Sequence, residues 1–425
     1  MVQRVVILGG GTGGTLVANR LRHLLAATEA EITVIDQDDL HIYQPGLLFV
    51  PFGLVKVARL VRSRSGQLDS GVAFRQVGVD HVDIDHDQVV LADGSHLGYD
   101  VLVVATGAAL RPEETEGLTG PGWRDRVHTF YDLAGATALS GAMAGFRGGR
   151  LVVNVVDMPI KCPVAPIEFV FLADWYFRRR GMRDRVELVY ATPLDGVFTR
   201  EVADRELAAL LRRRDIEVVH EFNTGEVDGA RGRLVGYDDR QVAFDLAVVV
   251  PLHAGAACIE HSPGLSSELG FVPADPATLR AKARPNVFVI GDAADLPSAK
   301  AGSVAHFQGD VVARNVAHTL AGEMLEAGFD GHTNCFIETG AGKAVLIDYN
   351  YDTEPLPGHY PGPVGLPLLR ESRTNHLAKL LFEQFYWHVL LPGRPVPGVT
   401  AAMPTAGKDL RAVGSRAREE TAGGY

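Results

Sequence analysis

Apolar positions open the chain as an unbroken block, Val5-Val6-Ile7-Leu8, and continue as a spaced run over residues 15–26. The block is the pattern of a strand buried on both faces, and the spaced run that of a helix with one buried stripe. Between them lies Gly9-Gly10-Gly11-Thr12-Gly13-Gly14, and after them Glu31-Ile32-Thr33-Val34-Ile35 closes on Asp36. The pattern predicts a βαβ unit. Gly9, Gly11 and Gly14 hold the G-x-G-x-x-G positions, where missing side chains permit a tight turn, close approach of a pyrophosphate and close helix–strand packing. Asp36 follows Gly14 by 22 residues, within reach of a ribose hydroxyl. A dinucleotide site is expected, and the loop alone does not say which dinucleotide.

Further along, His41-Ile42-Tyr43-Gln44-Pro45-Gly46-Leu47-Leu48 reads as a loop, and residues 72–104 as a meander ending in a buried strand and Ala105-Thr106-Gly107. Small residues at a strand end bring backbone close to something bulky. Asn286-Val287-Phe288-Val289-Ile290-Gly291-Asp292 repeats the design with a carboxylate at its end. A helix is expected from Gly302-Ser303 to Leu320, its positive amino terminus facing the site. Lys300, just before it, is either a solvated lysine or a ligand contact. The insertion at roughly 110–255 should hold a second Rossmann-like unit, giving an α/β fold. Its first strand, however, runs into Asn154-Val155-Val156-Asp157-Met158-Pro159-Ile160-Lys161-Cys162-Pro163 with no glycine hexad, and the next ends in Ala191 rather than an acid. Asp157 would repel a pyrophosphate, which counts against a nicotinamide cofactor. Domains are expected at 1–110 and 256–325 for the first nucleotide unit, 111–255 for the second, 326–405 for a carboxy-terminal hairpin and amphipathic segment, and 406–425 for a mobile tail.

Composition narrows the function classes. A formal charge of −11 argues against a nucleic-acid surface. No run of about 18 uncharged apolar residues appears, and the first strand starts too early for a signal peptide, so a cytoplasmic protein or one attached to the cytoplasmic membrane face is expected. Cysteines at 162, 258 and 335 are too dispersed for a zinc site or a secreted disulfide scaffold. Cys162 precedes a helical pattern (Ile167, Val170, Phe171, Asp174, Trp175) closed by Arg178-Arg179-Arg180-Gly181. A helix terminus plus Lys161 would lower its thiol from about 8.5 towards about 7.5; the alternative is a buried small hydrophobe. Cys335 lies on a predicted β-hairpin turning at Ala341-Gly342, and Cys258 among small apolar neighbours reads as structural.

Taken together, these motifs resemble the sulfide:quinone oxidoreductases, two-dinucleotide-binding-domain flavoproteins of the pyridine nucleotide-disulfide oxidoreductase type. The likeness rests on the glycine loop, Tyr43-Gln44-Pro45, Val103-Val104-Ala105-Thr106-Gly107, Ile290-Gly291-Asp292, the missing nicotinamide loop, Cys162 with Glu168, Cys335-Phe336 and the run 379–387. It implies FAD held by Gly9, Gly11, Thr12, Gly13, Gly14, Asp36, Gln44, Pro45, Ala105, Thr106, Gly107, Gly291 and Asp292, with Lys300 at the flavin or quinone. It implies Cys162 and Cys335 as a redox-active pair carrying sulfur, with Glu168 handling protons rather than serving as a helix-surface charge. A cysteine that many relatives carry is replaced in Thr129-Phe130-Tyr131, so FAD is expected to be non-covalent. Leu377, Leu380, Leu381, Phe382, Phe385, Tyr386 and Trp387, around Lys379, form an aromatic-rich amphipathic run suited to a membrane interface and its quinone, or to a core or dimer helix. A flavocytochrome c sulfide dehydrogenase subunit, a type II NADH dehydrogenase and a flavin redox sensor without turnover stay as rivals, and a homo-oligomer stays open.

Overall fold

The computed structural model describes residues 2–396 and 398–410. The first apolar block forms strand β1 (Gln3–Leu8), the spaced run helix α1 (Thr12–Leu24), and the second block β2 (Ala30–Asp36). β1 and β2 run parallel, with Val5 opposite Ile32 and Leu8 opposite Ile35. Together with β3 (Val72–Gln76), β4 (Val101–Val104) and the returning strand Val287–Val289 they make a parallel sheet in the order Val287–Val289, β4, β1, β2, β3. Both faces of this sheet are covered, which is why its central strands are apolar throughout.

The inserted unit repeats the architecture. β5 (Val127–His128), α2 (Leu133–Gly145), β6 (Gly149–Val155), α3 (Ala165–Arg179), β7 (Val186–Ala191), α4 (Glu201–Arg213), β8 (Glu217–Val219) and β9 (Leu246–Val250) follow in chain order. The strands are parallel in the order β5-β9-β6-β7-β8. The chain then returns through Val287–Val289, here β10, to α5 (Gly302–Ala321), which lies against α1. Gly309 permits that approach, since a Cβ there would come 2.6 Å from Leu16 Cδ2. The predicted hairpin is β11 (Thr333–Gly340) with β12 (Lys343–Tyr349), pairing Cys335 with Ile347 and Asn334 with Asp348. It packs on α3 and is covered by α6 (Arg373–Phe385), whose amino terminus is capped by the Ser372 hydroxyl accepting from Thr374 N–H.

One expectation for the carboxy-terminal part is corrected. The amphipathic run is not one surface helix: α6 gives way at Tyr386–Leu390 to a π-helical turn that dives into the first unit. Trp387 is 2% exposed, with the Arg62 guanidinium 4.2 Å above its ring and His41 edge-on at 5.4 Å. Tyr386 is buried beside it, so neither residue is available to a membrane. Leu377, Leu380 and Leu381 on α6 are the exposed apolar positions. Among the described residues no helix is long and apolar enough to cross a membrane. Of the expected tail, residues 406–410 are mostly exposed around one buried residue, Lys408, and 411–425 lie outside the described residues. Lys408 forms an ion pair with Asp348, both side chains fully buried, while His332 Nε2 lies 2.9 Å from the other carboxylate oxygen.

That ion pair ties the carboxy-terminal segment to the hairpin. Removing one partner of a buried pair leaves an uncompensated charge, which typically costs about 3–5 kcal/mol. Lys408→Ala is therefore expected to lower unfolding free energy by about 3 kcal/mol or more in urea melts, and a loss below about 1 kcal/mol would contradict this packing.

Candidate active site

The loop after β1 is built by backbone contact. Gly9 has φ +93°, and a Cβ there would come 2.5 Å from the Ala105 carbonyl oxygen; one on Gly14 would come 1.8 Å from the Gly9 oxygen. Gly11 differs, with nothing of the chain within 4 Å of its Cβ position. It borders a cavity of about 440 Å³ and caps α1, whose first turn has no side-chain cap and no acid. Free helix N–H groups beside an open glycine form an anion site. At the end of β2, Asp36 Oδ2 accepts from Gly10 N–H at 2.8 Å and lies 2.7 Å from Arg64 Nη1. Arg64, from a distant loop, has no signal in the sequence, and neither does the Tyr386 hydroxyl, 2.8 Å from Thr12 Oγ1 and 2.7 Å from His41 Nε2.

The later motifs meet the same cavity. Ala105, Thr106 and Gly107 line it from the end of β4, and the buried Thr106 hydroxyl has no protein partner. Gly291 and Asp292 line it after β10, as do Gln44 and Pro45 from the 3-10 segment Gln44–Phe52. Gly14 supports the loop from behind. α5 starts at Gly302, again without a side-chain cap or an early acid. Two open helix termini, a ribose-side carboxylate and an orphaned hydroxyl along one cleft fit FAD. Lys300 also lines the cavity, but its ammonium donates to the carbonyls of Asp292 and Ala294 at 2.8 and 2.9 Å and sits 3.6 Å over the Phe271 ring. Burial draws its pKa down to about 8, with Asp292 opposing.

Cys162 and Cys335 come to this cavity from different units. The turn after β6, where a second dinucleotide loop would stand, instead carries Lys161 and Cys162 to the cavity wall. Cys162 N–H donates to the Lys300 carbonyl at 2.6 Å, and its carbonyl accepts from Ala165 N–H at 2.8 Å and the Tyr131 hydroxyl at 3.3 Å. This corrects the helix-terminus expectation: α3 begins at Ala165, and Cys162 stands before it in a left-handed conformation, φ +48°. Burial, then Glu168 and Cys335, push the Cys162 thiol up rather than down. Cys335 is likewise raised by burial and by Glu168, to about 12. Both thiols are free, and Cys258 sits apart on the short helix Ala257–Glu260 in another core cluster.

Glu168, in the first turn of α3, is buried rather than solvated. Its Oε1 accepts from Glu338 N–H at 2.7 Å and from the Lys379 ammonium, which also donates to the Phe336 carbonyl at 3.1 Å. Burial raises the carboxyl above its usual range, while Lys379 opposes. Phe336, Lys379, Phe382 and Tyr386 line the cavity; Phe385 and Trp387 do not. Among the described residues no cluster suits a metal.

Because Gly11 faces the cavity and not the chain, Gly11→Ala separates ligand fit from folding. The variant is expected to melt within about 2 °C of wild type, a shift worth a few tenths of a kcal/mol at this size, yet to bind FAD at least about tenfold more weakly. Unchanged FAD affinity in a flavin titration would contradict the cradle.

The pyridine nucleotide-disulphide oxidoreductase family matches residues 3–153. The mouse mitochondrial sulfide:quinone oxidoreductase is 27% identical over 397 residues, covering 92% of this chain and 86% of that protein. Its Dictyostelium discoideum counterpart is 26% identical over 92% of this chain and 87% of that protein. The crystal structure of the Aquifex aeolicus sulfide:quinone oxidoreductase superposes with a TM-score of 0.78 at 17% identity, covering 92% of each chain. Over nine-tenths of its length the chain is thus similar to sulfide:quinone oxidoreductases, and two cysteines meet where a nicotinamide loop is missing.

Proposed function

We propose that this protein oxidises sulfide to sulfane sulfur or polysulfide and passes the electrons through FAD to a membrane quinone. One observation carries the reading: Cys162 and Cys335, from separate units, share the dinucleotide cavity with the Glu168–Lys379 ion pair. In the oxidised enzyme the two sulfurs form a disulfide or a sulfur-bridged pair. Hydrosulfide attacks one sulfur, the S–S bond breaks, and a new S–S bond forms, leaving a persulfide on one cysteine and a thiolate on the other. Cys335 is the sulfur nearer the ring in this scheme. A buried thiolate is costly. Lys379 supplies the opposite charge, and Glu168, whose raised pKa favours the acid form, holds the proton that the sulfur gives up. FAD, when bound, supplies the two-electron acceptor between sulfur and quinone.

Phe336 and Phe382, with Lys379, offer an apolar wall and one cation for the quinone. The half-exposed leucines of α6 would lie in the membrane surface on the cytoplasmic side, placing that wall next to the lipid that carries the quinone. FAD is held without a covalent bond in this reading, because Thr129-Phe130-Tyr131 offers no thiol.

Cys162→Ser and Cys335→Ser are each expected to lower sulfide-dependent quinone reduction by about 100-fold or more, with the double variant little worse, since residues acting as a unit are not additive. Cys258→Ser should stay near wild type, and acid should release intact FAD from all of them. An inactivating Cys258→Ser, or normal turnover in both other variants, would sink the assignment. The membrane contact is checked by Leu377→Ser with Leu380→Ser and Leu381→Ser: release from vesicles with flavin reduction by sulfide intact is expected. Vesicle binding unchanged in that triple variant would rule the contact out.

A further inference from the structure

A second buried carboxylate stands behind the cavity wall. Glu338, on β11, has a side chain only 2% exposed, yet its oxygens lie 2.8 and 3.0 Å from His376 Nδ1. His376 is 27% exposed in the first turn of α6, and Nδ1, not Nε2, is the ring nitrogen that faces Glu338. Lys379, three residues on, pairs with Glu168. Glu338 N–H is itself a donor to Glu168 Oε1. Both donors to Glu168 converge on Oε1, so Oε2 is left to carry a proton. A carboxylate buried against one ionisable imidazole is a poor stabilising device, since an apolar pair of the same volume would do as well.

The chemistry requires a proton from outside. Oxidation of hydrosulfide releases one proton per electron pair and quinone reduction consumes two: HS⁻ + Q + H⁺ gives S⁰ + QH₂. One solvent proton must therefore reach the reacting groups in each turnover, and Glu168 beside them is buried. On the functional reading above, we propose that His376 and Glu338 form the port that delivers it. The proton arrives at His376 Nε2, the Nδ1 proton passes to Glu338, and Glu168 is the next acceptor inward, facing the quinone wall. No bond other than those to hydrogen changes along this path.

The surrounding charges leave the route open. Glu168 is faced by Lys379 from α6, Glu338 from β11, the thiols of Cys162 and Cys335, and the phenols of Tyr43 and Tyr131. His376 shares α6 with Arg373 and Lys379 and faces Glu338. Arg214, bonded to the Thr339 carbonyl next to Glu338, is neutralised by Glu371 at 2.7 Å. Glu338 and His376 do not line the cavity and so act through Glu168 as positioning residues.

The test uses full-length FAD-loaded enzyme, sulfide and a water-soluble short-chain quinone in stopped flow, reading flavin reduction and flavin reoxidation separately. His376→Ala is expected to slow reoxidation by about tenfold or more, as loss of a proton donor does. Flavin reduction by sulfide should be unchanged, and added imidazole should restore reoxidation in a concentration-dependent way. Glu338→Gln should be equally slow and refractory to imidazole. Wild-type reoxidation rates in both variants overturn the proposal. So does a slow His376→Ala that imidazole leaves slow while His376→Gln runs normally, the mark of a packing role. If wild type itself is not reduced by sulfide, the functional reading fails and the port with it, an outcome distinct from both.

Discussion

Close approach between the loop after β1 and the end of β4 is the constraint on which the site rests. Gly14 has no room for a methyl group because the Gly9 oxygen occupies that space, and Gly9 has none because of the Ala105 carbonyl. This contact sets the start of α1 and leaves Gly11 as the open side of the cradle. It also positions the Ala105-Thr106-Gly107 end of β4, so that two motifs nearly one hundred residues apart present a single surface. The carboxy-terminal π-turn is tied to the same loop by the Tyr386 hydroxyl at Thr12, which brings the α6 wall of the cavity into register with the cradle.

Burial then decides the electrostatics. Inside the cavity both thiols are pushed up, the Glu168 carboxyl is pushed up and Lys300 is pulled down, each primarily by loss of water. A site with this bias disfavours isolated charge and favours chemistry in which a thiolate forms only as an S–S bond breaks. Lys379 is the cation that faces both cysteines and Glu168, and it bonds Glu168 directly. In the proposed reaction, sulfur exchange and proton transfer would share this one ion pair.

Periodicity and glycine spacing made much of this legible. The βαβ unit, the β4 and β10 strand ends, α5 and the Cys335 hairpin all depend on local patterns with fixed spacing, and the structure has them where the pattern puts them. Cys162 was legible as a residue but not in its conformation, because no local rule places a cysteine in a left-handed turn ahead of α3. Trp387 shows the limit of amphipathicity: an aromatic stripe looks the same whether lipid or protein covers it, and here Arg62 and His41 do. Arg64, Glu338 and His376 were invisible for a different reason. Their partners lie 28, 38 and 38 residues away in the chain at positions no motif defines.

The turn after β6 carries a cysteine where a nicotinamide loop would stand, so the proposed reductant is sulfide and not NADH. Anaerobic mixing of the oxidised holoenzyme with sulfide, and separately with NADH, tests it most directly. Rapid bleaching of the flavin absorbance by sulfide with none by NADH is the predicted result; rapid bleaching by NADH, with sulfide inert, would contradict the account.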